Sequence, residues 1–403
     1  MNFVNVSTYY PRQCGLASFS QDLRDSLVKA GHKVWIAAIS DKPYTYSAEV
    51  YCDIQQDAKE DYVAAARLIN NSPHIQMVIL QHEYGIFGGR DGEFVIDFVT
   101  HLEKPFLLVT HTVLPRPMPG QRVILQILAR QAAAVISMSR RSAHLLEKVY
   151  GVPEEKIALI PHGVPAFERK DREALKMLYG YTGRQVITTF GLIGPSKGLE
   201  IGIEAVKRLV DKHPDVLYII AGKTHPVLLE KEGESYREGL IEMCADMGLD
   251  KHVQFVNHFL EVEELGDYLY MTDVYLSPYP NRDQAVSGTL AYAVGCGRAI
   301  VSTPYEYALD VLKKQRMGLV APEAAPGTLS KLMGKVLSKQ SLKMSLEKKA
   351  SSYGETIRWP GVAVRYADLA REVVKPPVAT GIMKKKAIGG GLMATAKKEG
   401  SWG

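Results

Sequence analysis

Short apolar runs that read as β-strands alternate along this chain with stretches whose apolar residues recur at helical spacing, and no other feature limits the fold so strongly. In the first part the strand readings are Asn2 to Val6, Val34 to Ile39, Met77 to Leu80, Phe106 to Val109, Ala134 to Ser137 and Ile157 to Ile160. In the second they are Val186 to Phe190, Val216 to Ala221, Val253 to Val256, Val274 to Leu276 and Ala299 to Ser302. Helical patterns lie between them, among them one opened by a Ser18-x-x-Gln21 capping box with Phe19, Leu23 and Leu27 on one face. Near-continuous apolar strands separated by helices mean parallel sheets covered on both faces, whose ligands sit beyond the carboxyl ends of the strands.

A chain of 403 residues is too long for one ordinary core and suits two domains. The boundary is expected near Pro165 to Leu178, at the charged run Glu168 to Glu173, giving an α/β domain over 1–165 and a second over 166–359. A last helix follows Trp359-Pro360, about 360–375. The tail 376–403 holds five Lys and one Glu with two runs of Lys or Gly, and is expected to be a disordered basic extension.

That tail carries most of the formal charge of +5, so the folded body is close to neutral and lacks the basic face of a nucleic-acid binder. With 46% apolar and 23% charged residues the composition is that of a soluble globular protein. Cys14, Cys52, Cys244 and Cys296 are scattered without C-x-x-C spacing, which points to a reducing compartment and away from a zinc site. The chain enters a strand directly and holds no run of 18 apolar residues, so a cytoplasmic location is expected.

The stretch Thr188 to Glu200 turns an apolar strand into a helix through a glycine-bracketed loop with a single cation, Lys197. Unpaired N–H groups and the positive end of the helix dipole converge there with an ammonium, so phosphate is the expected ligand. Glycine and proline in this position also fit plain turn chemistry. The spacing is neither a Walker A loop nor G-x-G-x-x-G, which excludes a P-loop NTPase. Other polar strand ends are Cys14-Gly15, His82-Glu83, Thr110 to Thr112, Lys223 to His225 and Tyr279 to Gly288. Two such rims facing one another make a cleft.

Gly15 to Ser18, Thr110 to Thr112, Ile160 to Gly163, Phe190 to Gly198, Ala221-Gly222 and Gly295 to Ser302, in this order and spacing, resemble the retaining glycosyltransferases of the GT-B fold, family 4, over roughly residues 1–375. The resemblance implies an α/β fold of two Rossmann-like parallel-sheet domains facing a cleft. It further implies that the C-terminal domain holds a nucleotide-sugar donor, the N-terminal domain holds the acceptor, and a final helix crosses back to the N-terminal domain. It puts Gly15 under the donor phosphates, His111 against the transferred sugar and Lys197 on the diphosphate, with Gly191, Gly194, Ser287, Gly288 and Thr289 around them. Each has a plainer reading, as a turn glycine, a core histidine or a solvated charge. His82 and Glu83 are candidates to orient the acceptor, or else to close a helix cap.

Three departures stand out. Leu192 occupies the place where relatives carry an arginine, so Lys223, Arg282 or Arg298 must supply the second cation that a diphosphate needs. Gln284 and Tyr292 occupy the places of two glutamates, Gln284 being able to meet sugar hydroxyls and Tyr292 a ribose hydroxyl only as a neutral partner. The expected reaction is retaining transfer of a hexose from a GDP-mannose or UDP-glucose type of donor, catalysed by electrostatic stabilisation of the leaving group. No cofactor or metal is expected, since Lys197 and helix ends stand in for magnesium and the sequence holds no Asp-x-Asp motif. The acceptor is expected to be a sugar or a lipid-linked group, the latter implying contact with the inner face of a membrane. The oligomeric state, a sugar-nucleotide epimerase and a catalytically silent nucleotide-sugar-binding protein all stay open at this level.

Overall fold

The computed structural model describes residues 1–374; the basic tail lies outside the described residues. Two sheets form, both wholly parallel. The first contains β1 (Asn2–Ser7), β2 (Lys33–Ser40), β3 (Val50–Gln55), β4 (Met77–His82), β5 (Phe106–Thr110), β6 (Ala134–Ser137) and β7 (Ile157–Leu159), in the order β3-β2-β1-β4-β5-β6-β7. The second contains β8 (Gln185–Phe190), β9 (Val216–Ala221), β10 (Val253–Val256), β11 (Val274–Ser277), β12 (Ile300–Ser302) and β13 (Gly318–Val320), in the order β10-β9-β8-β11-β12-β13. Central strands such as β4, β5 and β9 are buried along their whole length. Apolar side chains thus serve both faces, which is why these strands read as continuous runs.

The edge strands behave differently. In β3 only Ile54 is buried, so it offers no apolar run, and β13 is a half-buried strand of three residues, Gly318–Val320; neither is expected from the sequence. The capping box assigned to Ser18 and Gln21 is corrected: the helix runs Gly15–Lys29, with Cys14 at its N-cap. Ser18 instead pairs with the Tyr10 hydroxyl at 2.9 Å, and Gln21 donates to Asp25 at 2.8 Å. The charged boundary run also has structure, because Asp171 caps a helix Arg172–Leu178. That helix delivers Lys176 to the buried carboxylate of Asp273 at 2.8 Å, where Lys343 from the helix Gln340–Thr356 also binds. With Arg172 3.8 Å away, three cations surround one buried anion, so the charge that looked like a linker is an internal tie.

The last helix, Trp359–Val374, lies on the first domain. Val362, Ala363, Tyr366, Ala367 and Ala370 make a buried stripe that packs in one cluster with Phe19, Leu23 and Leu27 of the Gly15–Lys29 helix. Its approach is set where the chain leaves each domain. Val164 N–H donates to Ile357 and Trp359 N–H to Val164, both at 3.0 Å, in a short parallel bridge between Val164 and Arg358. Beside this bridge Gly163 lies flat against the Trp359 indole, and a Cβ there would fall 2.2 Å from the ring. Gly163→Ala should therefore displace the indole and lower stability by about 1–3 kcal/mol, as overpacking does. Chemical denaturation measures this; an unchanged midpoint would mean that the indole contact does not hold the helix in place.

Candidate functional site

Each sheet reverses its strand order once, between β1 and β4 in the first and between β8 and β11 in the second. At such a switch point the loops leave in opposite directions and open a crevice. In the second domain the loop after β8 carries Lys197 and the loop after β11 carries Tyr279, so the topology alone brings the two together. Lys197 Nζ donates to the Tyr279 hydroxyl at 3.2 Å and lies 4.7 Å from the ring centroid. The Tyr279 hydroxyl pairs with Thr289 Oγ1 at 2.7 Å, and Ser287 caps the helix Gly288–Gly295 by accepting from Leu290 N–H. Gly198 adopts φ +62° pressed against the Pro278 carbonyl, where a Cβ would fall 2.3 Å away, so only glycine turns this loop. At Gly191 a Cβ would lie 3.2 Å from Thr289 Cγ2 and 3.9 Å from Lys197 Nζ. The ammonium and the first N–H groups of the Gly288–Gly295 helix thus converge over bare backbone, as a phosphate site requires.

This corner belongs to a cleft of about 990 Å³ lined by both domains. Of the residues singled out in the sequence, Gly15, Gly191, Gly194, Lys197, Lys223, Gln284, Ser287, Gly288, Thr289 and Tyr292 line it. Lys223 donates to Gln13 of the first domain, and Gln284 Nε2 donates to the Val286 carbonyl at 2.7 Å. Tyr292 reaches the other wall: its hydroxyl donates to Asp22 at 3.1 Å.

Other expected residues are placed elsewhere. His111 sits behind the wall, its Nε2 paired with Gln81 at 2.8 Å and its ring edge-on to Phe19. Burial, with the neighbouring imidazoles His162 and His82, pushes it down to about 3, so it is neutral. His82 is fully buried in the first domain between Tyr84 and Phe87, and burial lowers it to about 4. Glu83 accepts from Tyr84 N–H and from Thr112, closing the cap of a short turn rather than lining the cleft. Arg282 is exposed outside the cleft lining. Arg298 is buried and spends its guanidinium on the carbonyls of Cys296 and Tyr270, each at 3.0 Å. Among the cations offered to replace the missing arginine, only Lys223 lines the cleft, joined there by Lys231.

Asp22 carries no expectation from the sequence, and His162 and Tyr279 lie in stretches marked there without a role of their own. His162 donates from Nδ1 to the Gly163 carbonyl at 2.7 Å, which leaves Nε2 as an acceptor beside Gly288; burial lowers it to about 4. Asp22 accepts from Tyr292 and, at 2.9 Å, from Trp359 Nε1. Burial pushes its carboxyl up to about 6 against the downward pull of these two bonds. A signal for Asp22 did exist: Gly15, Ser18 and Asp22 are spaced 3 and 4 apart, hence on one face of the first helix, and all three line the cleft.

Residues 173–353 match the family model described as Glycosyl transferases group 1, and residues 14–166 match the one described as Glycosyltransferase Family 4. A D-inositol 3-phosphate glycosyltransferase of Jonesia denitrificans is 24% identical over 259 residues, 61% of this chain and 59% of that protein. A GDP-mannose-dependent alpha-(1-6)-phosphatidylinositol monomannoside mannosyltransferase of Mycolicibacterium smegmatis is 27% identical over 169 residues, 41% of each. The chain therefore matches less than two thirds of the length of these curated relatives. Among solved structures, sucrose-phosphate synthase from Thermosynechococcus elongatus superposes with a TM-score of 0.76 at 14% identity, covering 93% of this chain and 99% of that one. HepE of Anabaena in complex with UDP superposes with a TM-score of 0.74 at 13% identity, covering 92% and 100%. Each wall of the cleft thus matches a glycosyltransferase family model, and the chain has the two-domain GT-B fold of glycosyltransferases.

Proposed function

We propose that this chain is a retaining glycosyltransferase that moves a hexose from a nucleotide sugar, of GDP-mannose or UDP-glucose type, onto an acceptor hydroxyl. The observation that carries this reading is the corner of Lys197, Gly191 and the Gly288–Gly295 helix N-terminus, where full and partial positive charge face the cleft. When the glycosidic bond to a diphosphate breaks, negative charge grows on the leaving oxygen. Fixed donors aimed at that oxygen stabilise the transition state more than the ground state. Lys197 supplies a whole charge and the N–H groups of Gly288 and Thr289 supply oriented dipoles. Lys223, tied across the cleft to Gln13, is the second cation. The opposite wall, with Tyr10 and Ser18, offers hydroxyl groups suited to a sugar acceptor. Gln284 holds its amide at the cleft, where it meets hydroxyls of the transferred sugar without adding negative charge beside the diphosphate.

Thermal stability measured with GDP, UDP and ADP, and with their sugars, tests this directly. One nucleotide class at a hundredfold excess over its Kd should stabilise the protein by about 2.7 kcal/mol, the others clearly less. Lys197→Ala should melt like the unaltered protein without nucleotide and lose at least about tenfold in nucleotide affinity, the scale of one charge-assisted contact. Equal small shifts with every nucleotide, or full affinity without Lys197, would contradict the reading.

A further inference from the structure

The carboxyl of Asp22 has one oxygen engaged and one free. Oδ2 accepts from the Tyr292 hydroxyl of the second domain and from the Trp359 indole of the crossing helix. Oδ1 bonds to no described residue, and Asp22 lines the cleft. The two donors fix the plane of the group, so the free oxygen has a defined direction. Tyr292 is itself held: its ring stacks on Phe190 at 6.3 Å and meets Phe167 and His162 edge-on at 5.9 and 6.2 Å. Glu232 and Glu261 also line the cleft, but both are exposed to solvent, so Asp22 is the half-buried acid among its described lining residues.

Its position along the cleft decides what it meets. Phe190 immediately precedes Gly191 of the phosphate corner, and Tyr292 lies one helical turn beyond Gly288. Tyr292 packs against the apolar cluster that contains Phe190, Leu260 and Leu265, and the two leucines line the cleft together with Leu228 and Phe259. A nucleoside diphosphate with its phosphates at Lys197 and its base against that apolar end has its ribose beside Tyr292 and Asp22. We propose that Asp22 is a specificity-determining residue for the nucleotide, its free Oδ1 accepting a hydrogen bond from a ribose hydroxyl, so that the first domain takes part in binding a ligand anchored on the second. This rests on the nucleotide-sugar reading above. A carboxylate acceptor makes the bond charge-assisted, hence worth more than a bond between neutral groups.

The test is calorimetric titration with UDP, 2′-deoxy-UDP and 3′-deoxy-UDP, or with the guanosine set if that nucleotide is the one that binds. The unaltered protein should bind the ribonucleotide about tenfold or more tightly than at least one deoxy analogue, the range of one hydrogen bond to a charged group. Asp22→Ala should bring the affinities to within about twofold of each other. Asp22→Asn keeps an acceptor for Tyr292 and Trp359 and should also lose most of the preference, which guards against a folding defect in the alanine variant. Equal binding of all three nucleotides by the unaltered protein, or a preference that survives both substitutions, overturns the proposal while leaving the nucleotide site standing. If Asp22→Asn instead raises only the KM for an acceptor, the hydroxyl belongs to the acceptor and the ribose assignment is wrong. If no nucleotide binds the unaltered protein, the reading of the cleft falls and this inference with it.

Discussion

A parallel sheet has its backbone hydrogen bonds satisfied between strands and both faces covered by helices, so the place left for a ligand is the edge where strands end and the order reverses. This chain builds that edge twice and turns the two toward one cleft. Lys197 and Tyr279 meet because β8 and β11 are neighbours across the reversal, and the Gly288–Gly295 helix starts beside them for the same reason. The remaining architecture serves to hold the two edges opposite each other. The crossing helix, seated on Phe19, Leu23 and Leu27 and registered by the bridge at Val164, fixes one domain against the other.

The two walls differ in electrical character. The second domain presents Lys197, Lys223 and Lys231 with helix N–H groups, beside the solvent-exposed Glu232 and Glu261, whereas the first presents Asp22 with hydroxyl-bearing Ser18 and Tyr10. His82 and His111 behind the first wall, and His162 in the cleft lining, are all held neutral by burial and add no charge to compete with the cations opposite. Phe19 binds this layer together. Its ring meets His111, His162 and Trp359 edge-on at 4.8, 5.1 and 4.9 Å, which links the wall to the crossing helix through packing alone.

The parallel-sheet fold and the Lys197 loop were legible because each has a local signature: continuous apolar strands in one case, a glycine-bracketed loop before a helix in the other. The edge strand β3 is half-solvated and mixes polar with apolar residues, and β13 is only three residues long, so neither has a clear signature. His111 was singled out by its match to the family's histidine, and the partner that orients its ring, Gln81, lies 30 residues away in sequence and is adjacent only in the folded sheet. Asp22 has no such match to point to it. It sits mid-helix in no motif, and its meaning depends on Tyr292 and Trp359, 270 and 337 residues further along. Tyr292 itself looked like the loss of an acid; in the folded chain it reaches an acid supplied by the other domain. The spacing of Gly15, Ser18 and Asp22 places Asp22 on the cleft face of its helix, but the distant partners that set its chemistry leave no local pattern to read.

The account stands on a diphosphate bound at the corner of Lys197, Gly191 and the Gly288–Gly295 helix. A crystal structure of the protein with its preferred nucleoside diphosphate measures this most directly. Phosphate oxygens should lie within about 3 Å of Lys197 Nζ and of the N–H groups of Gly288 and Thr289, with the ammonium drawn away from Tyr279 toward them. Phosphates bound elsewhere in the cleft, with Lys197 still resting on the Tyr279 ring, would contradict it.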